Sequence, residues 1–189
     1  MTTSIMIVGV GGQGTLLASR LMGAALLSQG WDVKVSEVHG MSQRGGSVVT
    51  YVKYGESVAS PIVDMGEADV IMAFEQLEAA RWSPYLKPGG KLVMNTQRLD
   101  PMPVITGAAE YPQGIVEKLQ AAGVSLLAID ALSLAQQAGS SKAVNVVLLG
   151  ALAKHMEIPQ EVWQTCIKEQ VKPAFAEMNL KAFALGFHA

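Results

Sequence analysis

Residues 4–14 read Ser4-Ile5-Met6-Ile7-Val8-Gly9-Val10-Gly11-Gly12-Gln13-Gly14, and the reading of the fold starts from them. Ser4–Val8 is a short run of β-branched and other apolar side chains closed by glycine, which predicts a buried strand. Thr15–Gln29 follows at once, rich in Leu and Ala and stopped by Gly30, and predicts a helix. Val33–Val38 predicts a second strand, so the order implies a right-handed parallel β-α-β unit. Gly9, Gly11 and Gly14 satisfy the spacing G-x-G-x-x-G, in a loop that also holds Gly12 and Gln13. Such glycines permit a tight turn and let an anion approach backbone N–H groups at a helix N-terminus. One reading is a dinucleotide or phosphate site, with Glu37 as a ribose ligand. In the other, Gly9 and Gly11 permit the turn while Gly14 lets the helix pack closely on the sheet.

Beyond this unit, Val48, Thr50 and Val52 alternate within Ser47–Lys53 and predict a strand. Tyr54-Gly55-Glu56 would then turn the chain into an antiparallel hairpin with Val58–Ala59. Ala68–Phe74 predicts a central strand and Glu75–Arg81 a helix, where an acidic N-terminal residue suits the helix dipole. Pro84, Pro88, Gly89 and Gly90 punctuate the route to a strand at Lys91–Asn95. Arg98–Gly107 reads as a loop with a short edge strand, Gln113–Ala122 as a helix and Val124–Ile129 as a strand. From Ala131 only helices follow: Ala131–Ala138, Lys142–His155, Gln160–Val171 and Pro173–Leu185, with Pro159 and Pro173 near first turns. Phe175, Met178 and Ala182 give the last helix an apolar stripe that reads as core. Neither linker nor repeat interrupts the pattern. The expectation is one domain, 1–189, a three-layer α/β/α sandwich with a mostly parallel, mixed sheet. Its helical C-terminal part would cap that sandwich or reach a partner.

Half of the 189 residues are hydrophobic and 16% are charged, which is apolar for a chain with no membrane-length run. Either both faces of a sheet are covered, or a surface patch awaits a partner. The formal net charge of −2 offers no case for nucleic acid or an anionic membrane. Met1–Ser4 lacks the basic start of a signal peptide, so a cytoplasmic location is expected. Cys166 is the single cysteine, so the chain cannot by itself supply four thiolates to an iron–sulfur cluster. Its neighbours Val162, Trp163 and Ile167 predict a buried core thiol. His39, His155 and His188 lack metal-ligand spacing, and no metal site is expected. Trp31, Trp82 and Trp163 define no stacking platform, and each reads as core. Asn145, inside an apolar helix, reads as a satisfied buried amide.

The densest chemistry follows Glu37 and Val38: His39-Gly40-Met41-Ser42-Gln43-Arg44-Gly45-Gly46. Gly40, Gly45 and Gly46 give this loop unusual backbone freedom. Arg44 can clamp a carboxylate or phosphate, and His39 can carry a proton near neutral pH. The plainer reading is a solvated polar loop with a capping role.

Together, Gly9–Gly14 and Glu37–Gly46 resemble the gamma-type domain of pyruvate/2-oxoacid:ferredoxin oxidoreductases. The resemblance continues through Ser60-Pro61, Glu67–Val70, Ala73–Glu75, Asn95-Thr96, Asn145–Gly150 and Asn179-Leu180. Within that family the chain looks most like the beta subunit of the indolepyruvate type. The resemblance implies a larger partner carrying thiamine diphosphate, magnesium and iron–sulfur clusters. The assembled enzyme would decarboxylate a 2-oxoacid, pass the acyl group to coenzyme A and reduce ferredoxin. The residues agree with that division of labour: with one cysteine and no Gly-Asp-Gly…Asn segment, this chain would be inactive alone. Three functions stay open: an accessory subunit whose glycine loops complete a partner's active site, a CoA or phosphate-binding module, and a free-standing NAD-linked enzyme.

Overall fold

The computed structural model describes residues 2–39 and 45–189, the side chain of His39 excepted. Six strands form one sheet in the order β2-β3-β1-β4-β5-β6. They are β1 (Thr2–Val10), β2 (Asp32–His39), β3 (Ser47–Gly55), β4 (Ala68–Ala73), β5 (Leu86–Asn95) and β6 (Ser125–Ile129). β1, β4, β5 and β6 run parallel, while β3 is antiparallel to both β1 and β2. β2 therefore points the same way as β1, and five strands end at one edge of the sheet.

Two expectations about this region are corrected. β1 and β2 share a direction but are not neighbours, because β3 lies between them. The antiparallel hairpin is made by β2 and β3, with His39 opposite Val48, and not by residues 54–59. Val58 and Ala59 lie outside any strand. Val49 and Val52 reach both β1 and β2, and pairing on two sides buries more than a hairpin at the tip of β3 would.

Alternation along the strands sorts two cores. Ile5, Ile7, Met72 and Val93 face a layer built from α1 (Thr15–Ser28), α5 (Ala131–Ala138), α6 (Val144–Ala153), α7 (Gln160–Gln170) and α8 (Pro173–Phe187). Met6, Val8, Ile71, Leu92 and Met94 face α2 (Gln76–Trp82) and α4 (Ile115–Ala121). The result is the expected three-layer sandwich with a mixed sheet. Every residue of α6 is buried, which explains its lack of a polar face. α8 lies on α6 with very little between them: a Cβ on Gly186 would come within 1.9 Å of the Val147 carbonyl oxygen.

Four local expectations need revision. Residues 98–107 hold a short helix, α3 (Met102–Ile105), and no strand. Residues 142–155 divide into a 3-10 turn at Ser141–Ala143 and then α6. The buried stripe of α8 is Asn179, Ala182, Phe183 and Gly186, whereas Phe175 stands 52% exposed in the first turn. Trp163 is core, but Trp31 is partly exposed and rests edge-on against Tyr54. No helix among the described residues is long and apolar enough to cross a membrane.

Candidate functional site

The five strands that share a direction bring the glycine loop and the β2–β3 hairpin tip to the same edge, where α/β sheets place their ligands. Gly9 is still in β1, and its role is close approach: a Cβ there would meet Phe74 Cβ at 2.9 Å and Gln13 Oε1 at 2.8 Å. The turn itself is made at Gly12 and Gly14, with φ of +103° and +87°. Gly14 then starts α1, and it packs on α6 and not on the sheet; a Cβ would sit 2.7 Å from Asn145 Nδ2. Asn145 is the satisfied buried amide expected, donating to the Gly14 carbonyl at 3.2 Å and accepting the Val146 N–H at 2.9 Å.

Gln13 turns back into the protein. Its Oε1 accepts the Val10 N–H at 2.7 Å, and its Nε2 donates to the Phe74 carbonyl at 3.1 Å. Gly11 joins the two glycine segments, donating its N–H to the Gly46 carbonyl at 2.9 Å and accepting the Gly45 N–H at 3.3 Å. These bonds extend the β1–β3 ladder past Val10 and Ser47. Gly45 needs its freedom, with φ of +78°. Gly40, Met41, Ser42, Gln43 and Arg44 lie outside the described residues, as does the His39 side chain.

Beside the paired loops is an open cleft of about 320 Å³. Gly11, Gly12, Gly14, Thr15 and Leu16 form one wall, and Glu37, Val38 and Val48–Thr50 the other. Glu37 accepts a long hydrogen bond from Ser19 Oγ at 3.4 Å. No lysine or arginine lines the cleft among the described residues, and its one charge is the Glu37 carboxylate. That disfavours a phosphate held by these residues alone, although the first turn of α1 has no side-chain cap. In a doubly wound dinucleotide fold the acid-bearing strand adjoins the glycine-loop strand. Here β3 stands in that place, and Thr50 occupies the position between the loop strand and Glu37. The geometry therefore argues against the NAD reading.

Sequence reasoning missed most of what supports this edge, a hub at residues 74–78. The Phe74 carbonyl accepts from Gln13 and, at 3.2 Å, from Asn95 Nδ2, while Asn95 Oδ1 accepts the Ala131 N–H at 3.2 Å. Glu75 is 1% exposed and caps α2. Its carboxylate accepts from Glu78 N–H at 3.1 Å, Leu99 N–H at 3.2 Å and the Tyr111 hydroxyl. Burial and the Glu75 carboxylate hold the Tyr111 hydroxyl protonated well above the ordinary phenol range. Arg98 covers the Tyr111 ring at 4.3 Å. Glu78, also buried, takes the Ser47 hydroxyl, Arg81 Nε at 3.1 Å and Trp82 Nε1 at 3.3 Å. One short segment thus fixes the glycine loop, the exit of the second loop and the chain after β5. The available signal was an acid directly after the expected strand Ala68–Phe74; two of its three donors are 24 and 36 residues away.

Elsewhere the groups are structural. Cys166 is buried as expected, and burial raises its thiol pKa, which makes it a poor thiolate. Among the described residues no cluster of His, Cys, Asp and Glu is arranged to hold a metal ion.

An α/β sandwich that pairs two glycine segments at one sheet edge defines the class of fold. Comparison with known proteins makes this specific. The family model for pyruvate ferredoxin/flavodoxin oxidoreductase matches residues 4–189, and the chain belongs to that family. It is 44% identical to indolepyruvate oxidoreductase subunit IorB of Thermococcus kodakarensis, over 98% of this chain and 95% of that one. Its fold is similar to that of the keto/oxoacid ferredoxin oxidoreductase gamma subunit from Geobacter sulfurreducens. There the TM-score is 0.74 at 25% identity, covering 98% of this chain and 96% of that one. The fold also matches 30% of the longer 2-oxoglutarate:ferredoxin oxidoreductase chain of Magnetococcus marinus, with TM-score 0.73, 21% identity and 99% of this chain covered.

Proposed function

We propose that this chain, acting as one domain over residues 1–189, is the small accessory subunit of an indolepyruvate or arylpyruvate:ferredoxin oxidoreductase. The observation that carries the reading is its end-to-end likeness to separate indolepyruvate oxidoreductase subunits. In the assembled, cytoplasmic enzyme a larger subunit would hold thiamine diphosphate, magnesium and iron–sulfur clusters. That enzyme would decarboxylate the oxoacid, transfer the acyl group to coenzyme A and reduce ferredoxin.

This chain's part is to bring a braced loop to the partner's reaction centre. Gly9, Gly11, Gly12, Gln13 and Gly14 form the brace, and Gly45 and Gly46 are bonded to it through Gly11. His39, Ser42, Gln43 and Arg44, in the connection between β2 and β3, would orient the oxoacid or the acyl acceptor and form no covalent intermediate. Gly40 and Met41 belong to the same connection and lie outside the described residues. The test is reconstitution of Arg44→Ala with the large subunit. The expected result is normal assembly with kcat/KM for the oxoacid or CoA lowered about tenfold or more, about 1.4 kcal/mol of transition-state stabilisation. Unchanged assembly together with unchanged kinetics for both substrates would remove the loop from the reaction.

A further inference from the structure

Among the described residues ten large apolar side chains stand exposed, and two of the most exposed, Met102 and Ile105, sit on one turn of helix. The turn is not loosely attached. Pro101 and Pro103 flank Met102, and the inner side of α3 packs through Val104 onto the core beneath α2 and α4. Glu75 holds both ends of the segment, taking the Leu99 N–H on one side and the Tyr111 hydroxyl on the other. Burying a carboxylate to fix a surface turn is an expensive arrangement unless the position of that turn matters.

Its position is informative. The segment leaves the C-terminal end of β5, the edge of the sheet at which the glycine loop and the β2–β3 connection also lie. Phe74 holds Gln13 of the glycine loop, Glu75 holds the α3 segment, and Glu78 holds Ser47 next to Gly46. Three surface segments are therefore fixed to five consecutive residues. Two apolar side chains fall far short of the roughly 800 Å² per partner that a specific interface buries. A contact made at α3 would therefore be one part of a larger one, and the surface rigidly joined to it is the glycine edge.

We infer that the outer face of α3, Met102 and Ile105, is an apolar anchor that seats in a pocket of the large catalytic subunit. Residues Phe74–Glu78 hold it in register with the glycine loops. This rests on the accessory-subunit reading and adds to it where the partner is gripped. A symmetric contact with a second copy would set the small knob against itself, together with Arg98 and Asp100, and would leave the glycine edge uncovered.

The test is titration of the separately purified large subunit with the wild-type chain and with the double variant Met102→Ser/Ile105→Ser, with thermal unfolding of each chain measured alongside. The expected result is a Kd raised tenfold or more at an unchanged Tm. In parallel, Met102→Cys carrying a photocrosslinker should link to the large subunit, the native Cys166 being buried. The cross-link keeps the test decisive if the double variant loses stability. An unchanged Kd with no cross-link overturns the inference. So does a wild-type dimer that the double variant converts to monomers while still binding the large subunit normally. A wild-type chain that does not bind the large subunit at all overturns the accessory-subunit reading itself, which separates the two failures.

Discussion

At the scale of single residues, Glu75 carries the most structure. Three donors converge on its carboxylate, and none reaches solvent through it. Glu75→Gln keeps the shape but turns an N–H₂ group toward at least one of those donors. We expect it to lower stability by about 1–3 kcal/mol, read as a shift in the urea midpoint. Tyr111 adds a pH dependence with a definite sign. Its hydroxyl pKa is raised in the folded state, so the fold binds that proton more tightly than the unfolded chain does. The stabilisation is complete below the unfolded phenol pKa of about 10 and is lost as pH rises beyond it. Tyr111→Phe should therefore be less stable near neutrality and show a shallower alkaline decline. A variant with the wild-type slope above pH 10 would assign that decline to Tyr51 and Tyr54, whose pKa values burial also raises. Legibility at this scale was uneven. Asn145 and Cys166 could be judged from their apolar surroundings, because burial of a residue is written in its neighbours. Gln13 could not, since its partner Phe74 is 61 residues away and the fold alone brings them together.

At the scale of elements, the contact between α6 and α8 and the body of α1 give a paired prediction. A Cβ on Gly186 would fall 1.9 Å from the Val147 carbonyl oxygen, and one on Gly150 2.2 Å from that of Phe183, so the two backbones must separate. Gly186→Ala should cost about 1–3 kcal/mol or more, because rigid backbone and not a movable side chain is in the way. Gly23, within α1, has nothing within 4 Å of the same position. Gly23→Ala should instead stabilise by about 0.5–1 kcal/mol through helix propensity. Thermal unfolding of the two variants side by side checks the pair, and equal effects would show that helix propensity outweighs the close contact. Periodicity and punctuation located nearly every element, since they depend on nearest neighbours in sequence. The placement of β3 was not legible. A strand, a helix and a strand in order state which way the strands run, but not that a later strand will insert between them. Likewise Pro101 and Pro103 read as a loop, while Thr106 and Ile105 close a helical turn back to Met102 and Pro101.

For the whole molecule, the apolar composition left two explanations open, and the first, a sheet covered on both faces, holds. The central strands are sealed on two faces, with Ile5–Val8 and Ile71–Ala73 buried throughout. Large apolar side chains also remain outside, and they differ in their surroundings. Leu16, Val38, Met102 and Ile105 belong to segments at the edge where five strands end. Ile62 and Met65 belong to the connection that enters β4 from the opposite edge. An accessory subunit that meets its partner through the glycine edge should bury the first group and leave the second in water. Hydrogen exchange of the chain, free and bound to the large subunit, reads this directly. We expect added protection at the first turn of α1, at the ends of β2 and β3 nearest the hairpin tip, and across 99–106. Exchange at 61–66 should be unchanged. The first turn of α1 and the tips of β2 and β3 lie at the ends of regular structure, and 99–106, although braced by Glu75, keeps Met102 and Ile105 in water, so each leaves room for protection to increase. Protection confined to 61–66 would place the partner on the wrong edge of the sheet and remove the glycine loops from the contact. Protection at the glycine loops without 99–106 would keep the subunit docked but release α3 from it.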